Sequence, residues 1–187
     1  MKRLRHAAAA LALAAPFFAP AATAQVFVIG SGLGAECYDA AKSGRLSPTI
    51  AVDMCTRALR EEMMTKSNRA ATYVNRGVLY MRDGDYEKAL ADYEDAERLD
   101  GEQGAIYLNR GAAYIYQRDF DSALGPLDKA IALDTQDLYA AHYNRAIARE
   151  NTGDVEGAYY DFKAALDLRP DWTLAQQQLA RFTVTTN

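Results

Sequence analysis

Residues 26–35 read Val-Phe-Val-Ile-Gly-Ser-Gly-Leu-Gly-Ala, so Gly30, Gly32 and Ala35 match the G-x-G-x-x-A form of a dinucleotide-binding turn. That chemistry needs a strand before the glycines, a helix whose amides hold pyrophosphate, and a parallel sheet to seat both. Downstream of the glycines the chain carries one helical pattern after another, with no second strand for Asp53 to terminate. A small-ligand or cofactor site at Gly30–Gly34 is therefore the alternative reading, and a flexible or weakly extended leader the simpler one. No cofactor is called for.

The other chemistry-bearing residues give no catalytic constellation. Glu61, Glu62, Asp83, Asp85 and Asp154 fall in turns or on exposed helical faces, where a solvated charge is the ordinary role. Paired carboxylates work as acid and base only where their environments push their pKa values apart. His142 occupies a column filled by tyrosine elsewhere in the chain, which suits packing better than catalysis. No hydroxyl has an evident paired base, and the chain does not read as an enzyme. Cys37 and Cys55 are not spaced as Cys-x-x-Cys and have few other soft ligands nearby, so a structural disulfide suits them better than a redox or metal pair.

That assignment depends on compartment. Met1 to Ala24 has the pattern of a secretory signal: Lys2, Arg3 and Arg5, an apolar run from Ala7 to Phe18, then Ala22-Thr23-Ala24. The run is shorter than the ~18 residues of a membrane span, and no cysteine comes directly after the cleavage point to carry a lipid. Cleavage leaves residues 25–187, periplasmic or secreted, without a membrane anchor. Three bases and no acids leave with the signal, taking the net charge from −4 to about −7. Nucleic acid and anionic membrane both demand a surplus of Lys and Arg, so neither is an expected partner.

The elements that position these residues repeat. Asn75-Arg76-Gly77 returns as Asn109-Arg110-Gly111 and as Asn144-Arg145-Ala146, at steps of 34 and 35 residues. Ala89, Ala123 and Ala158 keep the same steps, as do Ala96, Ala130 and Ala165, and 11 of the 12 tyrosines fall within the repeats. Inside one unit, Tyr73, Gly77 and Tyr80 share a face of a helix over 70–81. Asp83-Gly84-Asp85 supplies a turn and an N-cap, and Ala89, Tyr93 and Ala96 share a face of a second helix over 86–99. The small residues let the two helices approach closely.

A helix pair of this period resembles the tetratricopeptide repeat family. The matching columns are Tyr73, Tyr107 and His142; Gly77, Gly111 and Ala146; Ala89, Ala123 and Ala158; Tyr93, Leu127 and Phe162; and Ala96, Ala130 and Ala165. The family's closing proline appears only as Pro170. Arginine replaces the family's leucine, an Asn-Arg-Gly variant resembling many bacterial members. A charge facing a neighbouring helix needs a partner. Asp92 and Asp161 lie 16 residues after Arg76 and Arg145, whereas Pro126 holds that place for Arg110, which must find another acceptor. Pro126 is also expected to bend its helix slightly.

The expected fold is all-α: a right-handed superhelical α-solenoid of antiparallel helix pairs with a short extended N-terminal leader. The divisions are a signal over 1–24, a leader over 25–34, a degenerate hairpin over 35–69, repeats over 70–103, 104–138 and 139–172, and a capping helix and tail over 173–187. In the hairpin, Ser47-Pro48 opens a helix to about Met64, and a partner over 35–42 turns near Gly44. Cys37 and Cys55 then sit on opposite arms at similar distances from the bend.

Stacked pairs make a concave face, which in this family is lined by the first helix of each pair. The resemblance implies that Val74, Asn75, Val78, Met81 and Arg82 point into it. So do Leu108, Asn109, Ala112, Ile115 and Tyr116, and Tyr143, Asn144, Ile147, Glu150 and Asn151. The ladder of Asn75, Asn109 and Asn144 suits an extended peptide, because each amide can donate to and accept from a peptide group. The same column could instead order neighbouring helices. Val74 and Ala140 stand where two lysines of the family's carboxylate clamp would be, so capture of a C-terminal carboxylate is not implied. The expected role is a protein interaction module or adaptor of the cell envelope that binds a peptide or protein in this groove. Self-assembly of the array is a further option.

Overall fold

The computed structural model describes residues 3–6, 20–28 and 32–185. Among them are nine helices and one two-stranded ribbon. Helices α1 (Leu33–Ser43) and α2 (Pro48–Glu61) form an N-terminal hairpin. Three further pairs complete the array: α3 (Lys66–Asp83) with α4 (Tyr86–Leu99), α5 (Gly104–Tyr116) with α6 (Phe120–Ala132), and α7 (Leu138–Thr152) with α8 (Val155–Leu168). Helix α9 (Thr173–Leu179) packs on α8. The first helices α3, α5 and α7 lie side by side, and each second helix packs behind its own first helix, as an α-solenoid requires.

The local signals explain where each pair begins and turns. Asp85, Asp119 and Asp154 cap α4, α6 and α8, each accepting the amide of the residue three positions on. Gly84 and Gly153 end α3 and α7 in the left-handed region, and the middle repeat reaches that region with Arg118 at φ 63°. Helix α6 runs unbroken through Pro126.

Packing between the paired helices depends on glycine in the first two repeats, where the third has Ala146. A β-carbon at Gly77 would meet the Tyr93 ring, and one at Gly111 would meet Leu127. Tyr93, Leu127, Phe162 and all six alanines of the second-helix columns are fully buried. The C-terminal end is closed by aromatic contacts. Trp172 lies 4.5 Å from the ring of Tyr143 and edge-on to Tyr139 at 5.1 Å, and Phe162 meets Phe182 at 5.9 Å.

The N-terminal hairpin has its own small cluster of Cys37, Ala40, Ala41, Ala51 and Cys55, joined to α3 through Leu79. Cys37 and Cys55 are linked by a disulfide across the two arms, with their Cα atoms 4.7 Å apart. Helix α2 stops at Glu61, short of Met64, because Glu62 turns into extended backbone. The capping helix is also shorter than its pattern implies. Phe182–Thr185 (β2) is a strand, paired antiparallel with Arg3–His6 (β1). The apolar run of 7–18, Gly30 and Ser31 lie outside the described residues.

Candidate functional site

The three asparagines of the repeat signature are fully buried on α3, α5 and α7, and they do not bond to neighbouring helices. Each holds one residue of the extended segment 20–28 by both of its backbone groups. Asn144 Oδ1 accepts the Ala22 amide at 2.8 Å, and its Nδ2 donates to the Ala22 carbonyl at 2.7 Å. Asn109 does the same for Ala24 at 2.8 and 2.6 Å, and Asn75 for Val26 at 2.9 and 2.7 Å. A side-chain amide offers one acceptor and two donors, so it can complete a peptide group as a neighbouring strand would.

The geometry is periodic. An extended chain advances about 6.6 Å in two residues, and each two-residue step crosses one repeat, from the third at Ala22 to the first at Val26. The segment therefore runs antiparallel to the order of the repeats. Ala21 and Ala24 are buried in the same apolar cluster as Val74, Leu108, Ala112, Tyr143 and Ile147. Tyr116 Oη donates to the Ala21 carbonyl at 3.3 Å, and burial raises the pKa of this phenol, keeping it a donor. At the far end Phe27 stands 63% exposed, edge-on to Tyr38 at 5.2 Å. The described part of the leader, residues 25–28, is thus extended, the second of the two forms expected of it, and together with residues 21–24 it is docked in the groove by six hydrogen bonds to buried side chains.

The other residues assigned to the concave face divide into two sets. Val74, Val78, Leu108, Ala112, Ile115 and Tyr143 are buried, as are Met81 and Ile147 at 7% and 6% exposure. They form the floor and its supports. Burial pushes the Tyr143 phenol up to about 12, and its hydroxyl has no hydrogen-bond partner among the described residues. Arg82 is exposed, Glu150 pairs with Arg181 at 2.6 Å, and Asn151 donates to the Ile147 carbonyl of its own helix. These polar residues belong to the rim.

Behind the groove lies a chain of ion pairs. Arg76 forms a two-pronged pair with Asp92 at 2.9 and 2.7 Å, and Arg145 with Asp161 at 2.8 and 2.7 Å. The acceptor that Pro126 denies Arg110 comes from the preceding repeat, where Glu97 lies 2.6 Å away. Burial raises Asp92, and one guanidinium does not offset it. Asp161 is buried as well, yet hydrogen bonds from His142 and Arg145 and the charges of Arg145 and Arg149 bring it below the usual carboxylate range. His142 is thus a positioning partner of Asp161, at 2.8 Å.

At the described end of the glycine-rich turn, Gly32 and Gly34 both face Glu62. The Gly34 amide at the start of α1 donates to Glu62 at 2.7 Å, and a β-carbon at Gly32 would collide with the same carboxylate. Glu62 is therefore a cap for α1, which corrects its assignment as a solvated charge. The segment before the turn, residues 20–28, is bound to the helical groove and is not a strand of a sheet.

The repeating helix pairs also match known sequences. Models of the tetratricopeptide repeat (TPR) match residues 68–136 and 108–171, together more than half of the chain. The chain belongs to the TPR family. It is similar to the Arabidopsis OM64 TPR domain, with 27% identity, a TM-score of 0.59, and coverage of 62% of this chain and 95% of that one. The second TPR domain of human RPAP3, in complex with the HSP70 peptide SGPTIEEVD, is 28% identical with a TM-score of 0.55, over 58% of this chain and 90% of that domain. MamA from Desulfovibrio magneticus RS-1 shares the fold at a TM-score of 0.64 and 19% identity, covering 80% and 82%. Among curated proteins no match is found. As a TPR array with peptide-binding relatives, the chain is a protein-interaction module.

Proposed function

We propose that this TPR protein is an exported adaptor of the cell envelope that binds an extended segment of a partner protein in its concave groove. The observation that carries this reading is the bonding of Asn75, Asn109 and Asn144 to alternate residues of an extended backbone. Such a groove recognises main chain first and side chains second. The RPAP3 domain holds a peptide ending in Glu-Glu-Val-Asp. Here Val74 and Ala140 are buried apolar residues, which supports a ligand held by its backbone and not by an acidic end.

Two features support export. Residues 1–24 carry the signal pattern, and the disulfide of Cys37 and Cys55 is a bond that persists in oxidising compartments. Determining the N-terminal residue of the protein from its host tests this directly, with Gln25 as the expected start.

The groove itself is tested by a photoreactive residue at Tyr116, on its rim. Crosslinks to a protein partner should form in the cell and disappear with Asn109→Ala and Asn144→Ala. Crosslinks that survive both substitutions would mean that the asparagine ladder does not hold the partner, and the absence of crosslinks in the parent would place it on another surface. Leu108 is unsuited to this test. It is fully buried, so its truncation costs about 2–5 kcal/mol of stability.

A further inference from the structure

The occupant of the groove is itself informative. Residues 20–28 read Pro-Ala-Ala-Thr-Ala-Gln-Val-Phe-Val and contain no charged side chain. The residue at the central asparagine, Ala24, is 3% exposed and belongs to the apolar cluster of the helices. A long or charged side chain there would have to displace the buried apolar cluster that Ala24 joins or enter it unpaired. The two outer positions, Ala22 and Val26, are only partly buried and tolerate more.

We propose that the ligand of this groove is an extended, uncharged segment with a small residue at its centre, and that Ala21–Val26 is such a segment supplied in cis. This inference rests on the reading of the groove as a binding face and says what fits it. The full-length chain is then self-occupied, and a segment of another molecule enters only when Ala22 and Ala24 leave Asn144 and Asn109. The bond between Ala24 and Gln25, where the signal pattern ends, lies between the central and first asparagines. Its scission would detach the part held by two asparagines and leave Val26 on Asn75. Export and processing would thus open the groove.

The test uses the full 187-residue chain produced without export and a labelled synthetic peptide, acetyl-Ala-Ala-Thr-Ala-Gln-Val-Phe-amide. A variant carrying Ala22→Pro and Ala24→Pro removes the two amides that Asn144 and Asn109 accept, outside every helix of the array. Its helix content, read by circular dichroism, should equal that of the parent. The peptide should bind the double-proline variant at least about tenfold more tightly than the parent, and adding Asn109→Ala should remove at least that factor. In the parent, the amides of Ala22, Ala24 and Val26 should be protected from hydrogen exchange.

Equal peptide binding to parent and variant, or unprotected amides at these positions, would overturn the self-occupancy. A variant that ignores this peptide but binds charged or bulky extended peptides, with dependence on Asn109, overturns the ligand class and leaves the groove reading standing. Binding of every peptide that is indifferent to Asn109→Ala removes both.

Discussion

The ring of Tyr93 fills the space that a β-carbon on Gly77 would need. This contact explains why the first repeat carries glycine where a helix would otherwise favour alanine, which the third repeat has at Ala146 opposite Phe162. Gly77→Ala should destabilise the protein by about 1–3 kcal/mol through overpacking, despite its better helix propensity. Gly84→Ala meets nothing within 4 Å, so its loss comes from backbone strain at φ 80° alone. Denaturant unfolding of each variant, with a Gly77→Ala/Tyr93→Ala double mutant that empties the space the β-carbon needs, separates the two causes. Only the Gly77 effect should be non-additive with the change at Tyr93.

Asp92 and Asp161 occupy matching places and should respond oppositely to acid. The folded pKa of Asp161 is depressed, so its contribution is present above the unfolded value of about 3.9 and is lost as pH falls through the folded one. Asp92 is raised by burial, so its charged form is the one that folding disfavours. Asp161→Asn should cost about 3 kcal/mol near neutral pH, since it strips His142, Arg145 and Arg149 of a shared buried anion, and the deficit should shrink below about pH 4. Asp92→Asn should cost less, because it also relieves a burial penalty. Thermal unfolding from about pH 7 to about pH 3 checks both signs.

The disulfide should act locally. It closes a loop with a sequence separation of 18 residues, for which chain entropy gives about 3 kcal/mol. In a repeat array, each unit is stabilised mainly by its neighbours. A Cys37→Ser/Cys55→Ser variant should therefore speed hydrogen exchange in α1 and α2 and leave α5 to α8 unchanged. Equal acceleration throughout would show that the hairpin belongs to the cooperative unit of the whole array.

Much of this architecture was legible because repetition multiplies a weak signal. The pairs Arg76–Asp92 and Arg145–Asp161 obey a constant spacing of 16 residues. The partner of Arg110 does not, since Glu97 belongs to the preceding repeat and lies 13 residues upstream. Contacts between units depend on superhelical stacking, which the period alone leaves open. The asparagine column was legible as hydrogen-bonding capacity, but its occupant was not. A ligand read mainly through its backbone asks of its side chains only that they be uncharged and small at the centre, which many segments satisfy, and residues 20–24 carry the stronger pattern of a cleavable signal.

Docking should also control processing. With both backbone groups of Ala24 bonded to Asn109 and its side chain buried, the bond to Gln25 is out of reach of a peptidase, which must bind the same backbone as an extended strand. The folded full-length chain should resist cleavage there, whereas Asn109→Ala/Asn144→Ala, which removes four of the six bonds, should be cut at least about tenfold faster. The measurement is the rate of appearance of Gln25 as a new N-terminus when the folded protein meets a signal peptidase. Equal rates for the two chains would mean that the segment leaves the groove faster than the enzyme acts. A slower rate for the double variant would mean that the asparagines present the bond and do not shield it.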